Sequence, residues 1–323
     1  IYKLTHQWGF YASGTLYTGL LLLVTLRMVE RPTKMRVASF GLVVGLAIWQ
    51  STQLVPIVLP AILWAIWKQP AWLRRIWIAA RFRTVAAVCL GLAALLAALG
   101  ALPAIVWNAR HGWGSLASPI EDTTTYQHRL RIFASPLLPM MLGLRVPFTQ
   151  ELLVPALALL VYVGLLGLFV YGAYRARRRE ASLLFVVAAC FPLVYALAPA
   201  TLFSQEPKYL MVLSPVLVLL VAQLASTYWR AVALVGVALA LSTGTLHKMD
   251  TYFRTVPVQP PAAPRDLGPL ISTLDDMGVD RVYADFWLAY RLTFDTDERI
   301  IAAQNKFTAL RFEGGQAVAS RHP

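Results

Sequence analysis

Charge is scarce in this sequence, and acidic charge scarcest: Asp and Glu together number 16 against 29 Lys and Arg. Cysteine is scarcer still. Cys89 and Cys190 each lie inside an apolar run, so no disulfide framework and no C-x-x-C site is available. The histidines His6, His111, His128, His247 and His322 are scattered, which removes the usual zinc spacings. No H-E-x-x-H, P-loop, G-x-S-x-G or helix-opening G-x-G-x-x-G occurs. Metalloprotease, nucleoside-triphosphate, serine-hydrolase and dinucleotide chemistries therefore have no anchor.

What is present is apolar. Hydrophobic residues make up 58% of the chain, charged residues only 14%, and mean hydropathy is +0.59. Several apolar runs approach the length that spans a bilayer, about 20 residues. These features predict an all-α polytopic membrane helix bundle. A net charge of +13 would invite a nucleic-acid partner. The basic residues instead occur in short clusters between apolar runs, the pattern that orients membrane proteins, and no nucleic acid is expected.

About eight hydrophobic segments are read: Phe10–Leu26, Val37–Trp49, Leu54–Trp67, Val85–Val106, Leu152–Tyr174, Ser182–Ala198, Tyr209–Tyr228 and Ala231–Leu246. The second and third would reach only about 20 Å at about 1.5 Å per residue, short of a core of about 30 Å. They read as a tilted pair or a re-entrant hairpin joined by the polar break Gln50–Gln53. Either arrangement places the basic clusters at 27–36, 68–83, 175–179 and 230 on one side, the cytoplasm by the positive-inside rule. The stretch 73–84 is amphipathic and reads either as an interfacial piece or as a basic loop entering the next helix.

Residues 107–151, WNARHGWGSLASPIEDTTTYQHRLRIFASPLLPMMLGLRVPFTQE, form the longest interruption and are expected as an irregular polar outer loop with short amphipathic pieces. The bundle is thus assigned to 1–250 and a Pro-rich linker to 251–269, with Pro257, Pro260, Pro261, Pro264 and Pro269. Residues 270–323 read as a small, incomplete α/β extracytoplasmic domain: a helix 269–277 closed by Gly278, a strand 281–284, a helix 286–294 and a strand 299–303.

Several residues stand out for chemistry. Lys208 and Tyr209, at the mouth of a span, suit a lipid phosphate, although a snorkelling lysine beside a belt tyrosine is the plainer alternative. Arg129 and Arg131, with Tyr126 and His128, form either an anion patch or a solvated basic face. Trp107, Asn108, His111 and Trp113 sit where a helix leaves the membrane, where belt tryptophans are common. Gln50 and Gln53 would line a cavity or lie at the outer surface, because amides are costly in lipid. Glu121 and Asp122 are outer carboxylates, read as loop or capping acids before general bases.

Together these stretches resemble the GT-C glycosyltransferases, polytopic enzymes such as protein O-mannosyltransferases and the lipid A aminoarabinose transferase. The likeness rests on GLAIWQSTQLVPIVLPAILW (45–64), LPAIVWNARHGWGSL (102–116), EPKYLMVLSPVLVLL (206–220) and YADFWLAYRLTFDTDERIIAA (283–303). The resemblance implies a bacterial inner-membrane enzyme that passes a sugar from a polyprenyl-phosphate donor to a lipid, glycan or protein acceptor on the extracytoplasmic face. It also implies contact with membrane lipids. It implies no organic cofactor, leaves a divalent cation open and indicates no resident metal. The family's catalytic aspartate lies in a first outer loop with no counterpart after Ile1, so a fragment lacking its base is expected and no catalytic residue is assigned. A transporter or lipid flippase is the competing class, and a non-catalytic scaffold the third. Intramembrane charge pairs and matching halves, which would favour a transporter, are absent from the sequence.

Overall fold

A computed structural model of the chain describes residues 11–68, 80–110, 112–113, 124–177, 180–198, 207–255, 266–284 and 286–304. The chain divides into two compact units, one of Ile1–Leu116 with Thr123–Lys248 and one of Ala117–Asp122 with Met249–Pro323. It is mostly helical with few strands.

The first unit begins with α1 (Tyr11–Glu30), α2 (Lys34–Gln50) and α3 (Val55–Lys68). Then come α4 (Ala80–Gly100) and α5 (Leu102–Arg110). A helical segment holds α6 (Tyr126–Ile132), a π turn (Phe133–Leu137) and α7 (Leu138–Met141). Helices α8 (Pro155–Ala176), α9 (Ser182–Tyr195) and α10 (Ser214–Thr227) follow, and then α11 (Trp229–Thr255), of which the stretch up to Lys248 belongs to this unit. Four continuous helical stretches are long and apolar enough to cross a membrane: Tyr11–Glu30, Pro155–Ala176, Lys208–Thr227 and Ala231–Tyr252. A fifth is added if the bent pair Gly91–Gly100 and Leu102–Arg110 counts as one span. The stretches Thr52–Lys68 and Ser182–Tyr195 are apolar but shorter. Leu159, Leu160, Val163 and Val170 on α8 are exposed, an apolar surface that water would not tolerate but lipid would.

Three expected features differ. The run 85–106 is not one straight helix, because α4 and α5 meet at 62°. Pro103 has no N–H to return to Leu99, so the ladder breaks there. The second half of the 107–151 stretch is helical across 126–141 rather than irregular. Its π turn follows from Pro136, and Leu138 N–H reaches Phe133 instead. The Ala134 carbonyl accepts the Tyr162 hydroxyl at 2.7 Å. Finally, α11 continues to Thr255, past the expected start of the linker; residues 256–265 lie outside those described, as does most of the amphipathic 73–84 piece.

The tightest packing is between α2 and α4. A Cβ on Gly41 would run into the Ala93 carbonyl, one on Gly45 into that of Ala97, and one on Gly100 would stand 2.8 Å from the Leu42 carbonyl. Gly41-x-x-x-Gly45 against Ala93-x-x-x-Ala97 is a small-residue seam of the kind that lets membrane helices touch backbone to backbone. A buried core of Leu21, Leu54, Ile57, Trp64, Leu183, Phe191 and Leu213 joins α1, α3, α9 and the start of α10. Trp64 Nε1–H donates to Ser182 Oγ at 2.9 Å, so this buried indole is satisfied.

In the second unit, α12 (Gly268–Asp276), β1 (Arg281–Ala284), α13 (Phe286–Asp295) and β2 (Ile301–Gln304) follow in order. The strands pair in parallel, Arg281 opposite Ile301. Leu267, Ala289, Leu292, Ile300 and Ala302 form their core. Buried Thr293 and Thr296 stitch it: Ala302 N–H donates to Thr293 Oγ1 at 3.0 Å and Ile300 N–H to Thr296 Oγ1 at 3.2 Å. Gly278 closes α12 with φ +67°. Arg299 donates to Asp275, and that hydrogen bond holds its guanidinium above the ordinary range.

Candidate functional site

The polar residues separate toward the two ends of the first unit. The Trp64–Ser182 bond places the start of α9 beside the last turns of α3. Lys68 Nζ lies 3.4 Å from the Arg177 carbonyl, which brings the end of α8 to the same place. The basic residues Lys68, Arg175 and Arg177 therefore share one end. The start of α3 and the last turn of α9 lie toward the other.

At that second end the chain gathers three segments distant in sequence. The turn between α2 and α3 starts at Ser51, whose backbone is extended and whose hydroxyl accepts from Gln53 N–H at 3.2 Å. Its 3-10 piece, Thr52–Leu54, packs against a second 3-10 piece, Lys208–Leu213, and the latter packs on α1. Gln50 Nε2–H donates to Ser13 Oγ at 2.6 Å, which ties the turn to the first helix. Gln53 Oε1 is buried and has no hydrogen-bond partner among the described residues, a desolvated acceptor of the kind that costs about 1–3 kcal/mol when unpaired.

Lys208 and Tyr209 open the second 3-10 piece. Its tightness has a local cause, since Pro215 has no N–H to return to the Met211 carbonyl. Ser214 Oγ donates to that carbonyl instead, at 2.7 Å. Thr18 Oγ1 donates to the Val212 carbonyl at 2.9 Å, so α1 holds the piece in place. Lys208 Nζ stands 5.3 Å from the centre of the Tyr209 ring, and both side chains are half-buried. A cation held over an aromatic face at a helix mouth is a defined, partly desolvated charge.

Arg129 is placed at this same end but is committed elsewhere. Its Nε–H donates to the Ala196 carbonyl at 2.6 Å and an Nη–H to the Thr124 carbonyl at 3.0 Å. Tyr126 adds its hydroxyl to the Leu193 carbonyl at 3.0 Å. Together they cap the carbonyl end of α9, whose last groups have no helical donors. Arg131 is exposed and makes no hydrogen bond or ion pair among the described residues.

The Trp107–Trp113 stretch is a helix end. Trp113 N–H reaches back to the Asn108 carbonyl at 2.8 Å, and Gly112 takes φ +60°. That six-residue closure with a left-handed glycine is a Schellman cap, which accounts for the glycine at this position. Asn108 is buried, and its amide donates to the Ala104 carbonyl at 2.9 Å. Trp107 and Trp113 are about half exposed. His111, Glu121 and Asp122 lie outside the described residues. The structure thus brings Gln50, Gln53, Lys208 and Tyr209 into one neighbourhood and gives Arg129 and Asn108 backbone work.

Two features have little sequence signal. Loop 142–152 rests on α11 through Thr245 Oγ1, which donates to the Gly143 carbonyl at 2.8 Å, and through the Glu151–Lys248 ion pair at 3.5 Å. Phe148 and Gln150 in that loop take φ +67° and +59°, left-handed values unusual for such side chains. No group of three or more His, Cys, Asp or Glu that could hold a metal occurs among the described residues. Compared with protein-family models, curated proteins and solved structures, the chain shows no match.

Proposed function

We propose a membrane glycosyltransferase of the GT-C type, transferring a sugar from a polyprenyl-phosphate-linked donor to an acceptor at the extracytoplasmic face of a bacterial inner membrane. One observation carries the reading. The half-buried Lys208–Tyr209 pair and the desolvated Gln53 amide gather at the end of the bundle opposite Lys68, Arg175 and Arg177. In an eight-segment topology with the basic end in the cytoplasm, this polar end faces outward. A lipid phosphate moored at the membrane surface there would meet a fixed cation in lowered dielectric.

In the transfer, an acceptor hydroxyl or amine attacks the anomeric carbon, the bond from that carbon to the phosphate oxygen breaks, and a carboxylate takes the acceptor's proton. The leaving group is an anionic polyprenyl phosphate, and Lys208 balances the charge that develops on it. Arg131 is a second cation free to approach from the outer segment. No residue is assigned as the base.

Binding of a polyprenyl phosphate to the detergent-purified protein tests this. Lys208→Ala is expected to weaken binding roughly 10- to 100-fold, on the order of 1.4–3 kcal/mol, the range of a charge-assisted hydrogen bond. Unchanged affinity would reduce Lys208 to an interfacial anchor and remove the reading's main support.

A further inference from the structure

A cavity of about 120 Å³ opens at the other end of the first unit, between α8, α9 and α10. Its lining is two-sided. Gly172, Ala176, Phe185 and Leu224 form an apolar floor, and Arg175, Gln223, Thr227 and Tyr228 supply polar groups. Arg175 is exposed, and its guanidinium makes no hydrogen bond or ion pair among the described residues. The Gln223 side-chain amide likewise has no partner there. We propose that this cavity binds the phosphate headgroup of an anionic phospholipid, with Arg175 as the charged anchor and Gln223 and Tyr228 as further donors.

The electrostatics favour an anion over a cation. Two helices end at this cavity, and their carbonyl ends carry partial negative charge. Those of α10 are already occupied. The Gln223 carbonyl accepts the Ser226 and Thr227 hydroxyls at 3.0 and 2.7 Å, and the Leu224 carbonyl accepts Tyr228 N–H at 2.9 Å. Against these half-charges stands the full charge of Arg175. Among the described residues, no carboxylate lines the cavity.

A lipid, rather than a soluble anion alone, fits the surroundings. The floor is apolar and adjoins the exposed face of α8 that carries Val170 and Tyr171. Tyr171 packs against Tyr228 at 5.2 Å between ring centres, and Trp229 is exposed beside it. Aromatic residues at such a level mark the boundary between headgroups and acyl chains. A basic pocket between membrane helices at the positively charged side is a known physical setting for anionic headgroups. Arg177 is built differently: its guanidinium stacks 4.0 Å from the Tyr174 ring centre and does not line the cavity. The inference rests on this end of the bundle alone and does not depend on the transferase reading.

Native mass spectrometry of the full chain, delipidated in detergent and given phosphatidylglycerol or phosphatidylcholine, tests it. Wild type is expected to retain phosphatidylglycerol over phosphatidylcholine. Arg175→Gln should retain about tenfold less, the loss of one charge-assisted contact, and Arg177→Gln should retain it as wild type does. Both substituted side chains are exposed, and unchanged melting temperatures would verify that both variants fold. Failure of millimolar inorganic phosphate to displace the lipid identifies the lipid as the ligand. Displacement supports the same anion site with free phosphate as its occupant. Equal retention by wild type and Arg175→Gln, or equal loss in Arg175→Gln and Arg177→Gln, would overturn the assignment.

Discussion

At the scale of single residues, the two outer arginines have parted roles. Arg129 spends two donors on the Ala196 and Thr124 carbonyls, whereas Arg131 spends none among the described residues. Arg129→Ala would strip the cap from α9 and remove a charged donor from the Ala196 carbonyl. It should destabilise the detergent-solubilised protein by about 1.5–3 kcal/mol, the range for hydrogen bonds to charged groups. Arg131→Ala should stay within about 0.5 kcal/mol, as exposed substitutions usually do. Thermal unfolding of the two variants in parallel measures the contrast, and equal shifts would show that the cap carries no stability. Charge and residue type alone do not separate these arginines. The distinction lies in where α9 ends relative to α6, a tertiary fact. Lys208 is more legible, because a lysine and tyrosine ahead of an apolar run announce an interfacial position on their own.

Among the elements, the α2–α4 seam is the most sensitive contact. Gly45 cannot take a methyl group without striking the Ala97 carbonyl, while a methyl group on Gly91 of α4 would meet nothing within 4 Å. Gly45→Ala is therefore expected to destabilise by about 1–3 kcal/mol through overpacking. Gly91→Ala should be neutral or stabilising by about 0.5–1 kcal/mol, since glycine in a helix costs entropy. Melting midpoints compare the two, and a Gly45→Ala as stable as Gly91→Ala would mean the seam can open. Helix positions follow from apolar runs, and the small β–α–β pattern from alternating residues between turn signals such as Gly278. The bend at Pro103 and the π turn at Pro136 are carried by single prolines inside longer apolar or amphipathic segments, where the run outweighs the break. The seam is not legible in sequence, because Gly41 and Gly45 are informative only once Ala93 and Ala97 are known to face them.

For the molecule as a whole, the exposed apolar helices call for lipid around them, and the proposed topology puts the end that carries Lys68, Arg175 and Arg177 in the cytoplasm. Single cysteines at Ser118 and at Glu180, which is exposed in the basic turn after α8, in a background without Cys89 and Cys190, should react with an impermeant thiol reagent from opposite sides of the membrane. Reaction of both from one side would end the eight-segment topology. The most direct measurement is photolabelling of the protein in lipid nanodiscs with a photoreactive polyprenyl-phosphate sugar, followed by peptide mapping. Adducts are expected in the neighbourhood of Gln50–Leu54 and Lys208–Leu213, competed by unlabelled polyprenyl phosphate and reduced in Lys208→Ala. Labelling confined to the end that carries Arg175, or labelling that unlabelled lipid does not compete, would contradict the proposal that this polar end receives the donor.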